Sequence, residues 1–128
     1  MRGTIVAVDP DADTCAYYRD VFALADYVVV DAPDPESAFS LIQARRPELV
    51  ISGLRLPMPR AIALYRNIRQ YAGTRSIPIL VVTTEMRMAL WQRAREAGVD
   101  LLLLKPVSPE ELLQAGASLL RTMPTALD

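Results

Sequence analysis

Five short apolar runs alternate with five stretches of helical periodicity, and this alternation limits the possible folds more than any other feature. Thr4–Val8, Tyr27–Val30, Glu48–Gly53, Ile77–Val82 and Leu101–Leu104 are rich in Val, Ile and Leu. Apolar runs of this length fit strands buried on both faces. Between them, Asp11–Thr14 offers N-cap chemistry ahead of a helix with Tyr18, Val21, Phe22 and Ala25 on one face. Glu36–Arg45 reads as a second helix, with Ala38, Leu41 and Ile42 aligned and Pro47 as its stop. Leu56–Pro59 reads as a loop because of its two prolines. Ala61–Tyr71 is helical, with Leu64, Ile68 and Tyr71 on one stripe and Gly73 as its cap. Met86–Ala97 is a helix ended by Gly98. Ser108–Glu111 is a strong helix start: serine cap, proline at N1, glutamate at N3. Leu112, Leu113, Gly116, Leu119 and Leu120 form the face of this last helix. The alternation predicts an α/β fold, an open parallel sheet with helices on both sides joined by right-handed crossovers. Residues 1–122 read as one domain and 123–128 as a tail or the start of a linker.

Composition narrows function by exclusion. Of 128 residues, none is histidine, which removes Ser-His-Asp and Cys-His catalysis, imidazole metal sites and an internal phosphohistidine. The one cysteine, Cys15, has no partner for an internal disulfide and reads as a small core residue. Fourteen basic and fifteen acidic side chains leave a formal charge of -1, so no electrostatic footprint for direct nucleic-acid binding exists. No apolar stretch approaches the roughly 20 residues of a membrane span. The opening run Ile5–Val8 ends at Asp9, short of a secretory core. The expectation is a cytoplasmic protein without membrane contact.

In folds of this kind, ligands sit where strand C-termini meet loops. Asp9 follows the first strand, Thr83 ends the fourth, and Lys105–Pro106 follows the fifth. A carboxylate, a hydroxyl and an ammonium are thereby aimed into one crevice. Together with Ile5–Asp9, Pro47–Pro57, Ile77–Thr83, Ala97–Asp100, Leu104–Pro106 and Ser108–Leu112, these residues resemble the receiver domain of bacterial response regulators. The resemblance runs from Thr4 to about Leu120. It implies a flavodoxin-like (βα)5 doubly wound sheet of order 2-1-3-4-5. The chemistry it implies is phosphoryl transfer from a kinase phosphohistidine to an aspartate ending the third strand. An acidic pair after the first strand then helps to hold Mg2+, and a Thr/Ser and a Lys contact the phosphoryl group. It also implies a cis Lys105–Pro106 peptide, which aims the lysine into the crevice.

Against that pattern, this chain departs at several positions. The acceptor position is Gly53. The second member of the acidic pair is Pro10, with Asp11 displaced by one residue. Thr84 is bulkier than the small residue usual after the hydroxyl. Arg60 and Ala61 stand where an aspartate and a glycine usually follow the proline loop, and Leu102 replaces the aromatic switch residue. Ser52 is adjacent to Gly53 but alternation turns it to the opposite face. The sequence therefore reads as a degenerate receiver that is not an enzyme and acts through a protein partner or an output domain. Mg2+ binding is expected to be weak or absent, with no other cofactor. Asp9, Thr83 and Lys105 are expected to satisfy one another, with Lys105 leaning on Asp9. Arg55 and Arg60 flank the crevice. Met86, Met88 and Trp91 exceed the stripe of Leu90, Ala94 and Ala97. This apolar excess, together with what the resemblance implies about receivers, makes the face of the fourth helix, fifth strand and fifth helix a candidate surface for a partner or a homodimer. Two alternatives stay open: a working receiver with a non-standard acceptor, and a small nucleotide-binding protein or enzyme of the same topology. The second would need a Gly-, Ser- or Thr-rich phosphate loop after the first strand, where the sequence is Asp9–Asp13.

Overall fold

The apolar runs form one parallel sheet. The computed structural model describes residues 2–55 and 59–120. Its strands are β1 (Gly3–Val8), β2 (Tyr27–Ala32), β3 (Leu49–Ser52), β4 (Ile79–Thr83) and β5 (Leu101–Leu104). The helices are α1 (Ala12–Ala23), α2 (Pro35–Arg45), α3 (Pro59–Gln70), α4 (Met88–Glu96) and α5 (Pro109–Leu119). The order is β2-β1-β3-β4-β5, as expected. In register, Val8 faces Ala32 on one side and Ser52 on the other, and Thr83 faces Leu104. These pairings bring the C-terminal ends of β1, β3, β4 and β5 to a common edge.

Strand alternation divides the core in two. Val6, Val8, Val50, Ile79, Val81 and Leu102 pack with α2, α3 and α4. Ile5, Ala7, Leu49, Ile51, Leu80 and Val82 pack with α1 and α5. The same parity carried past the strand ends puts Asp9, Gly53, Thr84 and Lys105 on the α1/α5 side. Ser52 falls on the other side, where it is fully buried and its Oγ shares a 2.7 Å hydrogen bond with the Tyr65 hydroxyl.

Several local expectations need correction. α1 starts at Ala12 because the Asp11 side chain accepts from Asp13 N–H, and Ala25 lies beyond its end. Pro59 is not in a loop; it opens α3, where a missing N–H costs nothing. Gly73 does not cap α3. Buried Thr74 does so, its hydroxyl donating to Ile68 O at 2.8 Å, and Tyr71 is exposed. Val28 is exposed because β2 is the sheet edge. Met86 precedes α4, since Glu85 Oε2 accepts from Arg87 N–H and holds Arg87 extended as the N-cap. The loop expected at 56–58 and the tail expected at 123–128 lie outside the described residues.

Candidate functional site

The site is assembled at the common edge. Asp9 follows β1 and is 5% exposed. Its Oδ1 accepts from Asp11 N–H at 2.8 Å, while Oδ2 is buried with no hydrogen-bond partner. Burial pushes the Asp9 carboxyl above its ordinary range; the Asp11 N–H and the Lys105 charge pull the other way and do not prevail. Asp11 is exposed and engaged as the α1 cap, accepting from Thr14 Oγ1 at 2.6 Å, which holds its carboxyl below the usual range. Pro10 is exposed and carries no ligand atom.

Gly53 follows β3, with its N–H bonded to Val8 O. A β-carbon placed there would lie 1.9 Å from Asp9 Oδ2 and 3.0 Å from Asp9 Cγ, so the Asp9 side chain would have to swing aside to admit one. The Asp9 carboxylate thus fills, in this arrangement, the space where a side chain at position 53 would begin. Thr83 is buried and its Oγ1 accepts from Glu85 N–H at 2.9 Å. Thr84 is exposed on the rim. The Lys105–Pro106 peptide is cis, as the resemblance implied.

The expected mutual satisfaction of Asp9, Thr83 and Lys105 does not occur. Among the described residues, no ion pair within 4.0 Å joins Asp9 to Lys105. The physical reason is local: the Asp11 N–H and the space above Gly53 fix the Asp9 carboxylate, and the Glu85 N–H takes the Thr83 hydroxyl. Lys105 acts on Asp9 and Asp11 only through its charge.

Gly53, Thr83, Thr84 and Lys105 line a polar crevice of about 440 Å³ with Arg55 and Arg87. Arg60 is turned away, paired with Glu36 on α2. Arg87 was not legible as a site residue. Its side chain is brought to the crevice by the Glu85 ion pair at 3.0 Å, which holds the Glu85 carboxyl down at about 2. No spacing in the sequence marks that turn. A second, more apolar cleft of about 550 Å³ adjoins the crevice, sharing Val82, Thr84 and Lys105 and bounded by α1. Cys15 is buried, donates to Asp9 O, and burial pushes its thiol up to about 11, which suits a packing role.

The candidate surface separates into two kinds of residue. Met86 and Met88 are 76% and 73% exposed. Trp91 is not part of that exposed set: it packs against the core, and its Nε1–H donates to Glu85 O. Among the described residues, no helix is long and apolar enough to cross a membrane.

With this geometry in view, comparison with known proteins is specific. The chain is 29% identical over 118 residues to the phosphate regulon transcriptional regulatory protein PhoB of Pseudomonas aeruginosa, covering 92% of this chain and 52% of that protein. It is 32% identical over 119 residues to the cyclic di-GMP phosphodiesterase response regulator RpfG of Xanthomonas campestris, covering 91% of this chain and 32% of that one. The chain therefore spans about half, or a third, of the length of these relatives. Among solved structures, the Vibrio cholerae chemotaxis protein CheY4 superimposes with a TM-score of 0.85 at 26% identity, over 94% of this chain and all of that one. The family model described as the response regulator receiver domain matches residues 5–117, and by fold, site position and sequence the chain belongs to the response regulator receiver domain family.

Proposed function

We propose that this domain is a signalling module of a two-component or related regulatory system that works by protein–protein contact and does not depend on phosphorylation. One observation carries the reading. The acceptor position is Gly53, and the room its side chain would need is held by the Asp9 carboxylate. The nearest alternative nucleophile, Ser52, is buried and bonded to Tyr65 on the opposite side of the sheet. The donor set does not fit a resident Mg2+ ion. Asp9 and Asp11 are the available carboxylates, Asp11 is engaged as a helix cap, and no cluster of three His, Cys, Asp or Glu exists among the described residues. The lack of histidine and of a phosphate-cradling loop supports a non-enzymatic role. PhoB and RpfG are named for activities of longer proteins, so an output domain or partner is the natural recipient of any signal from this fold.

The test is intact-mass spectrometry after exposure to acetyl phosphate with Mg2+. The wild-type chain is expected to show no stoichiometric adduct. Gly53→Asp alone is expected to gain little, because the new side chain contends with Asp9 and lacks a formed metal site. Pro10→Asp combined with Gly53→Asp is expected to gain more. A stoichiometric adduct on wild type overturns the reading, and mapping it identifies the acceptor.

A further inference from the structure

Charge is segregated along the chain. Residues 45–95 hold ten arginines and two acids, whereas residues 1–44 hold eight acids and two arginines. The fold turns this segregation into two faces, because α2, α3 and α4 cover one side of the sheet and α1 and α5 cover the other.

On the first side, Arg66 of α3, Arg75 beyond it, and Arg93 and Arg95 of α4 are exposed. Among the described residues, none of the four has an ion pair within 4.0 Å. Arg69 reaches from α3 to Gly98 O at 3.1 Å, just past the end of α4, which sets Arg66 beside the last turns of that helix. Glu96 is the single acid on α3 or α4. On the other side, exposed Asp13 and Asp20 lie two turns apart on one stripe of α1, and exposed Glu110 and Glu111 open α5. The Tyr17 hydroxyl donates to Val107 O at 2.8 Å and draws the start of α5 against α1. The single base on α1 or α5 is Arg19, and Asp31 pairs with it at 2.8 Å.

Helix dipoles do not account for this pattern. They favour acids in the first turn and bases in the last turn of every helix. Here α1 and α5 carry acids in the first turn and no base in the last, while α3 and α4 carry arginines in the last turn and no acid in the first. The sign of charge follows the side of the sheet.

We propose that the arginine face of α3 and α4 docks on the acidic face of α1 and α5 of a second copy of this chain. The planar guanidinium suits carboxylate oxygens, and each face supplies what the other lacks. The two faces lie on opposite sides of the sheet, so the contact is head-to-tail and leaves an open stack with one free face of each sign. Exposed ion pairs are individually weak and screened by salt, so the contact is a sum of several and is salt-sensitive. Exposed Met86 and Met88, either side of Arg87 at the start of α4, add an apolar rim. The inference names a partner for the contact-based role proposed above but does not rest on the absence of phosphorylation. A phosphoryl adduct on wild type would overturn that reading and leave this one standing.

The experiment is sedimentation velocity of the full chain over a concentration series, without phosphodonor, at about 10 mM and about 150 mM salt. Wild type is expected to associate at low salt and to lose about tenfold in affinity at the higher salt. Arg66→Gln with Arg93→Gln and Arg95→Gln should weaken association about fivefold or more, and so should Asp13→Asn with Asp20→Asn and Glu110→Gln. Mixed in equal amounts, the two variants are expected to form pairs and nothing larger, because each keeps the face that the other has lost. Wild type that stays monomeric at low salt overturns the proposal, as does association of equal strength at both salts. A mixture that associates no better than either variant alone overturns it as well. A monomeric wild type that binds a DNA duplex at low salt also overturns it and assigns the arginines to nucleic-acid phosphate.

Discussion

Asp9 shows how one side chain can be retained at a site while its work changes. Its position after β1 was readable, because a short apolar run ending in an acid at the C-terminal edge of a parallel sheet has one place to go. Its partner was not readable. Lys105 was the expected counter-ion, but the carboxylate is held by the Asp11 N–H and fills the space above Gly53. That choice depends on side-chain direction at two strand ends, which no spacing encodes. It has a measurable cost. Because burial raises the folded-state pKa of Asp9, the folded protein favours the protonated form. The contribution is therefore fully present below the ordinary carboxylate pKa and is lost as pH rises through the folded value. Asp9→Asn should be the more stable chain at neutral pH relative to its standing in acid. The stability difference from wild type should grow in its favour as pH rises from about 4. Urea unfolding of both chains across that range checks this, and parallel profiles would remove the strain assigned to Asp9.

At the scale of the element, terminal chemistry was legible where it was local. The Ser108–Glu111 capping box forms as read, with reciprocal hydrogen bonds of 3.1 Å. Gly98 also ends α4 as expected. Its φ is 114°, and the Gly98 and Val99 N–H groups close back on Arg95 and Ala94 in a Schellman arrangement. Gly73 looked like the same device but is not, because buried Thr74 reaches back to the α3 carbonyls from beyond it. A side-chain hydrogen bond reaching six residues back closes this helix end in place of the glycine. Gly98→Ala should accordingly cost about 2 kcal/mol or more, since a β-carbon there is strained at positive φ and meets the Arg69 side chain. That side chain itself bonds Gly98 O, Ile77 O and Asp100. A midpoint of chemical unfolding within error of wild type would contradict this account of how α4 ends.

For the whole molecule, packing decides which apolar side chains are left outward. Helical spacing alone placed Met86, Met88 and Trp91 together, but tertiary packing divides them. Trp91 is partly buried, packed against the core and held by Glu85 O, so Trp91→Ala would change stability along with any association. Met86, Met88 and the half-exposed Leu104 remain outward. We expect that this smaller apolar patch supports self-association, the sedimentation coefficient of wild type rising with concentration. Met86→Glu with Met88→Glu should flatten that dependence and leave the unfolding midpoint within about 0.5 kcal/mol of wild type, both positions being exposed. Identical concentration profiles for the two chains would move the contact elsewhere.

Sheet order came with the resemblance to the receiver family. The two-sided core, the helix starts at Asp11 and Ser108, and the edge at which Asp9, Gly53, Thr83 and Lys105 gather were determined by the sequence. Each follows from periodicity, parity or a cap within a few residues. The tertiary structure alone decided which donors and acceptors meet. It set Asp9 against Gly53, closed the Glu85–Arg87 turn on the crevice, and buried the Tyr18 hydroxyl unpaired beside an apolar cleft. These outcomes depend on directions and distances between residues far apart in the chain, where a few tenths of an ångström decide whether a hydrogen bond forms.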